Sequence, residues 1–264
     1  MRRTESSSRV EPRLRGPEPL AGAGSAAVEL RHLPRDALAA LAAAGQEVIE
    51  CHRVLAKSDD TVVGRILESQ GTFYEWNHYP PGDVYDFDSG AQNYYHAHPK
   101  DERPGEHGHF HAFLRRRGMP PGLRPAALPG GEWGGDAGDA LTHLIAISMS
   151  DQGRAIQLFT TNRWVTGETW YAAPDVIAML ERFVIDLTRP SWAVNRWITA
   201  LVRFYRPEIE ALLVERDRAV AAWQRRYPQG LVFDDRRLEI TSKIDIAAEE
   251  QLGRVLAALR RARR

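Results

Sequence analysis

Five of the nine histidines in this 264-residue chain lie within one stretch of sixteen residues, in two alternating runs. The first run is His-x-His and the second is His-x-His-x-His, and their members are His96 and His98, then His107, His109 and His111. Imidazole is a common ligand for transition metals and a proton carrier near neutral pH. The stretch therefore predicts a functional site, either a metal centre or a histidine-lined surface that binds a ligand without metal.

The alternation in the second run fits a β-strand with one polar face and one apolar face. Side chains at i and i+2 of a strand lie on the same face, so the three histidines of this run share one side. The residues on the other side are small or apolar: Gly108, Phe110, Ala112 and Leu114. We expect that apolar face to pack on helices and the opposite face to present imidazoles.

Whether the two runs meet depends on the register of a hairpin formed by residues 91–98 and 106–114. If His98 lies opposite His107, then His96 faces His109 on the same side of the sheet. A slip of two residues would also keep the two runs together, whereas a slip of one would place them on opposite faces. Only registers that keep the runs on one face make a site.

The second run is too long for all its histidines to share one ion, because His107 and His111 would be about 13 Å apart along a strand. A site with three or four ligands would therefore draw two from each strand, or add His143 or His78 from neighbouring strands. Facing Cβ atoms about 4.5 to 5.5 Å apart allow two imidazoles to reach one zinc ion at about 2.0 to 2.1 Å.

The histidine pattern favours a metal-dependent enzyme that acts on a small molecule. The expected cofactor is a divalent transition metal (Zn, Fe, Mn, Ni or Cu), and Glu106 is the expected catalytic residue, as a proton-transfer group. The metal ligands are expected among His96, His98, His107, His109 and His111. Two alternatives stay open at this stage: a non-catalytic module that binds a ligand such as haem, and a protein of purely structural role.

The net charge, the single cysteine and the lack of long apolar runs bear on the protein's partners and compartment. The 35 Lys and Arg residues balance the 35 Asp and Glu residues, so the total charge predicts neither a nucleic acid nor a membrane as partner. Cys51 is the single cysteine, which excludes an internal disulfide and fits a reducing compartment. Since no run approaches the roughly 20 apolar residues of a membrane span, we expect a soluble, cytoplasmic protein.

The elements that must position the histidines are predicted from periodicity. Residues 1–27 have the composition of a disordered tail, and residues 28–264 are expected to form a single α+β domain. A helix is predicted over 34–57, and about five strands follow between residues 72 and 164, as one antiparallel sheet. From about residue 174 the pattern is helical, and the last helix is predicted over about 244–261. The sheet should pack against these N-terminal and C-terminal helices.

The histidine stretch also resembles a known sequence signature. The segments YYHAH (residues 94–98) and EHGHFH (residues 106–111) resemble those of an uncharacterised bacterial domain family, with similarity over roughly residues 40–200. The resemblance implies that the histidines are a feature of that family, and it implies no particular activity.

A partial similarity to the cupin metal motif covers the same region. In cupins, a glycine is followed by His-x-His, a glutamate and a second glycine at set intervals, and the matching residues here are Gly90, His96, His98, Glu102 and Gly108. The last interval is five residues here rather than six, and the second cupin motif with its downstream histidine is not found. This similarity implies a double-stranded β-barrel that holds a metal.

Overall fold

The structure is a computed structural model, and it describes residues 28–127 and 140–262. Within these ranges six strands form one open sheet, antiparallel throughout, in which each strand pairs with the next along the chain. The strands are β1 (Tyr79–Tyr85), β2 (Ala91–His96), β3 (Gly108–Arg115), β4 (Leu141–Met149), β5 (Ala155–Thr161) and β6 (Ile240–Asp245). The predicted disordered tail lies outside the described residues.

Helices come before the sheet and after its first five strands, which confirms the predicted α+β class. Seven α-helices are found in the described ranges: α1 (Arg35–Ala56), α2 (Val62–Leu67), α3 (Arg163–Thr166), α4 (Ala173–Met179), α5 (Trp192–Phe204), α6 (Arg206–Arg226) and α7 (Ala248–Arg261). Helix α1 packs against both α5 and α7. Across the described residues, no helix combines the length and apolar character that crossing a bilayer requires.

The apolar face of β3 packs into the main core, as its alternation predicts. Phe110, Ala112 and Leu114 are fully buried members of that core, and the ring of Phe110 lies 5.5 Å from the ring of Trp197 on α5. A shift of one residue would exchange these side chains with the polar histidines and place imidazoles in the apolar core, so their burial fixes which face of β3 packs on the helices. The histidines of β3 therefore have to project from the other face.

The start of the sheet differs from the prediction, because the first strand begins about seven residues later than expected. The aromatic-rich segment 72–78 forms no strand, and β1 instead includes the Pro80-Pro81-Gly82 sequence. β1 is an edge strand, where proline is tolerated because its missing N–H is not needed for pairing. A register irregularity between Tyr79 and Val84 accommodates this segment.

The other edge strand, β6, was missed in the sequence. It occupies Ile240–Asp245, where a helix was predicted to begin, and helix α7 starts only at Ala248. Four of its six residues are not buried, so its apolar pattern is weak, and β5, the strand it pairs with among the described residues, lies about 80 residues earlier. The described strands form an open sheet rather than the double-stranded barrel that the cupin similarity implies.

Gly108 allows β2 and β3 to approach closely beside the histidines. A Cβ atom at this position would lie 2.5 Å from the carbonyl oxygen of His96 and 2.5 Å from the hydroxyl oxygen of Tyr95. We expect Gly108→Ala to lower the free energy of unfolding by about 1 to 3 kcal/mol, because the backbone of the pairing strand must shift. Urea denaturation followed by circular dichroism measures this loss.

Gly253→Ala provides the matched control for that substitution. Gly253 lies in α7, and a Cβ atom there would meet nothing within 4 Å, so alanine should raise stability by about 0.5 to 1 kcal/mol. Equal effects of the two substitutions would contradict the close approach at Gly108.

Candidate metal centre

The β2–β3 hairpin adopts the register that brings the two histidine runs together. His96 pairs with His109, and Tyr94 pairs with His111, so all four side chains project from the same face. The Nε2 atoms of His96 and His109 are 2.6 Å apart. The predicted hairpin register is confirmed, and these two histidines form the centre of the site.

His98 completes a group of three imidazoles, although it lies two residues beyond the end of β2. Its ring lies 5.1 Å from the ring of His96 and 5.2 Å from that of His109. One nitrogen from each of the three rings can be chosen so that all three lie within 4.8 Å of one another. Nitrogens on one tetrahedral zinc ion are about 3.3 Å apart, so small side-chain rotations would bring this triad to metal-binding distance.

Two carboxylates lie within hydrogen-bonding distance of the Nδ1 atoms of His109 and His98. Glu106 Oε1 lies 2.6 Å from Nδ1 of His109, and Glu102 Oε2 lies 3.3 Å from Nδ1 of His98. An ionised carboxylate only accepts hydrogen bonds, so we assign the proton of His109 to Nδ1. Nε2 of His109 then directs a lone pair into the triad, which is the arrangement typical of histidines that bind metals.

Arg103 lies behind Glu106 and adds a positive charge beside the triad. Its Nη1 is 3.8 Å from Glu106 Oε2, and its Nη2 donates a hydrogen bond of 2.7 Å to Glu239. The guanidinium lies 4.9 Å from the ring of Phe159, which in turn packs edge-on against His109 at 5.2 Å. Arg103, Glu106 and His109 therefore form a connected chain from the surface to the buried imidazole.

His107, a predicted ligand, is not brought to the triad. Its Nδ1 lies 2.6 Å from the hydroxyl of Tyr95, a fully buried core residue, and its ring lies 5.8 Å from that of Phe73. His107 precedes the first residue of β3, so the alternation of faces that holds within the strand does not fix its direction. The expectation that it shares a face with His109 fails for this reason.

His111 continues the cluster inward, toward His143 rather than toward the triad. The rings of His109 and His111 are 4.8 Å apart, and Nδ1 of His111 lies 3.0 Å from Nε2 of His143. His143 reaches this face because β4 carries a bulge: Ala112 pairs with Ile145, whereas the next residue of β3 pairs with His143. A bulge of one residue reverses the facing of the side chains beyond it.

His78 lies at the outer side of the cluster, just before β1. Its ring stacks on that of Tyr94 at 3.6 Å, and its Nδ1 lies 3.0 Å from an oxygen of Asp83. The ring is 6.0 Å from that of His96, and it is not part of the triad. His78 therefore connects the triad with the surface formed by the residues before β1.

A comparison with protein-family models shows one match that spans most of the chain. Residues 42–246 match a domain of unknown function, DUF6969. The chain belongs to the DUF6969 family. Searches found no matching curated protein and no matching solved structure. The matched range contains the whole hairpin and every histidine of the cluster, so the site is part of the DUF6969 domain itself.

Four histidines of the cluster in this DUF6969 domain, His96, His109, His111 and His143, are held in the neutral form. Burial is the main cause that lowers the pKa of His96 to about 3 and the pKa of His143 to about 3. Burial, followed by repulsion from the neighbouring imidazoles, lowers the pKa of His109 and of His111 well below the usual value. Neutral imidazole is the form that binds metal, so these side chains need not lose a proton to solvent near neutral pH before binding.

Ser148 is a residue of the DUF6969 site that sequence reasoning did not identify. It pairs with His109 across β3 and β4, so its side chain lies on the histidine face. Its side chain is 2% exposed, and its hydroxyl has no hydrogen-bond partner within the described part of the chain. The sequence signal for Ser148 is a serine within the apolar run of β4. The sequence alone does not place it beside His109, because that neighbourhood depends on the register of β3 and β4.

Proposed function

We propose that this DUF6969 protein is a metal-dependent enzyme that acts on a small molecule, with His96, His98 and His109 as ligands of a divalent transition metal ion. The observation that carries the proposal is the convergence of three imidazole nitrogens within 4.8 Å, backed by the carboxylate of Glu106 on His109. Buried histidines more often pair with polar groups of the fold. Here, one buried and two partly buried histidines bring nitrogens within reach of a single ion.

Three protein ligands leave coordination positions free, as in catalytic rather than structural zinc sites. A bound metal ion supplies Lewis acidity or an acidified water, and imidazole ligation suits Zn, Fe, Cu and Ni. His109 is buried whereas His96 and His98 are partly exposed, so the free positions would face the outer side of the sheet.

Glu106 has a different role in this proposal from the proton-transfer role that was first expected. Its Oε1 accepts the Nδ1 proton of His109, and Arg103 lies near its other oxygen, so the carboxylate holds the ligand rather than facing the substrate. We infer that it orients His109 and raises its basicity.

Metal analysis of protein purified without an affinity tag tests the proposal. We expect close to one equivalent of a transition metal, or stoichiometric uptake of Zn²⁺ or Co²⁺ by protein freed of metal. Less than about 0.1 equivalent, together with no uptake on titration, would leave the non-catalytic alternatives as the better account.

Glu106→Ala should weaken metal binding by about 10-fold to 100-fold, because His109 loses the acceptor that fixes its tautomer and ring orientation. A chelator competition with Zn²⁺ measures the affinity. Glu250→Ala, which removes an exposed carboxylate from α7, should leave the affinity unchanged. If Glu106→Ala and Glu250→Ala behaved alike, the supporting role of Glu106 would be wrong.

A further inference from the structure

The segment between α2 and β1 exposes three aromatic side chains, one of which contacts the triad. Phe73, Tyr74 and Trp76 are 38%, 60% and 49% exposed. The N–H of Trp76 donates a hydrogen bond of 2.9 Å to the carbonyl of Ala97, and its ring lies 4.1 Å from the ring of His98. A cluster of exposed aromatic rings that contacts a candidate metal ligand is typical of a ligand-binding surface.

A groove of about 500 Å³ runs along this aromatic segment. Its lining includes Gln70, Thr72, Tyr74, Asn77, His78 and Tyr79. A volume of this size suits a small organic molecule. His78 connects the groove to the metal centre, because its ring stacks on Tyr94 and lies 6.0 Å from the ring of His96.

The lining of the groove determines the chemistry of the molecule that fits it. It contains no Lys, Arg, Asp or Glu side chain, and the nearby carboxylate of Asp83 is already bound by His78 and Gln92, so a charged ligand would find no unpaired opposite charge in the lining. Gln70 and Asn77 offer amides, each with donors and acceptors, and Thr72 offers a hydroxyl. Tyr74, 60% exposed, offers a ring face for stacking, whereas the ring of Tyr79 is buried and forms part of the groove's base. Flat apolar surfaces bordered by neutral hydrogen-bonding groups match an uncharged ring that carries polar groups on its rim.

We propose that this groove binds the substrate of the enzyme, and that the substrate is an uncharged ring compound with hydroxyl or amide groups, of the size of a monosaccharide or a nucleoside. The ring lies against Tyr74, the amides of Gln70 and Asn77 bind its rim, and one end reaches past His78 to the triad. This inference rests on the proposed function for the reaction, but binding in the groove requires no metal.

Isothermal titration of the full chain with four uncharged probes tests the groove: methyl glucoside, inositol, uridine and adenosine. The first two probes represent sugar-like rings and the last two represent nucleosides, so the titrations distinguish these two classes of compound. We expect at least one probe to bind, and we expect its charged counterpart, glucuronate or the nucleoside monophosphate, to bind about tenfold more weakly. Tyr74→Ala and Asn77→Ala should each weaken the binding about tenfold. Both side chains are exposed, so both variants should fold.

Phe87→Ala is the matched control, because Phe87 is an exposed aromatic residue, 65% exposed, that does not line the groove. The Phe87→Ala variant should bind the probes with the same affinity as the unmodified protein. Binding of no uncharged probe, preferred binding of the charged counterparts, or binding unaffected by Tyr74→Ala would each overturn the groove proposal. The probe titration is repeated on metal-free protein, and the metal uptake of the same protein is measured separately. Probe binding by a protein that takes up no metal would support the groove and contradict the proposed metal-dependent activity. Metal uptake by a protein that binds no probe would contradict the groove and leave the proposed metal centre standing.

Discussion

His109→Ala is expected to remove tight metal binding, with a loss of more than about a hundredfold in affinity for Zn²⁺ or Co²⁺. The expected loss exceeds that for Glu106→Ala because the substitution removes a ligand itself and leaves Glu106 without its imidazole partner. His109 is also the most buried of the three, at 1% exposure, so solvent cannot easily replace it. The affinity is measured by chelator competition, and the Co²⁺ absorption spectrum reports the change in coordination.

His107→Gln is the control that makes this prediction specific to the structure. Both histidines belong to the same run and are two residues apart, but His107 bonds Tyr95 on the opposite side of the hairpin. Glutamine retains a hydrogen-bonding group for Tyr95, so the fold should persist and the metal affinity should stay within about twofold. Losses of metal affinity of similar size in the two variants would show that His109 is not a metal ligand in preference to His107.

The sequence was sufficient to predict the centre of this site because its determinants are local. The alternating pattern of β3 assigns Phe110 and Leu114 to the core, and the short connection between β2 and β3 restricts their register. Those two constraints leave two registers that keep the histidine runs on one face, and the structure adopts the one in which His96 pairs with His109. The predicted α+β class depended on equally local signals, a run of strands followed by a run of amphipathic helices.

Other parts of the site depend on contacts that no local pattern contains. His107 lies outside the strand, so its direction is set by the hydroxyl of Tyr95. The bulge in β4 that turns His143 toward the cluster leaves no distinct mark in an apolar run. Strand β6 exists because β5 offers it a pairing edge, and Arg103 reaches Glu239, just before β6, only through that pairing. Each of these features is a consequence of tertiary packing rather than of periodicity.

The stability of the metal-free protein should fall steeply between pH 7 and pH 5. A histidine whose pKa is about 3 in the folded state stays neutral there, whereas the unfolded chain takes up a proton near pH 6.5. Acidification therefore favours the unfolded state, by about 2 kcal/mol per buried histidine at pH 5. This figure applies to His96 and His143; burial also lowers the pKa of His109 and of His111, which therefore act in the same direction.

Glu168 acts in the opposite direction over the same range. Burial raises its pKa to about 7, so the folded state takes up a proton before the unfolded state does, and acidification to pH 5 stabilises the fold by about 2 kcal/mol. Histidines whose pKa is lowered outnumber carboxyl groups whose pKa is raised, so the net effect of acidification from pH 7 to pH 5 is a loss of stability. Urea denaturation midpoints at pH 7 and pH 5 measure this difference.

His143→Gln isolates one of these contributions without touching the triad. His143 is fully buried beside His111, so removing its titration should shrink the stability difference between pH 7 and pH 5 by about 2 kcal/mol. His32→Gln provides the exposed counterpart, and it should leave the difference as it is in the unmodified protein. An unchanged difference in His143→Gln would mean that this imidazole is already protonated, or reached by solvent, in the folded state. Saturating Zn²⁺ should reduce the pH dependence, because an ion on the triad binds the folded state and holds its histidines deprotonated.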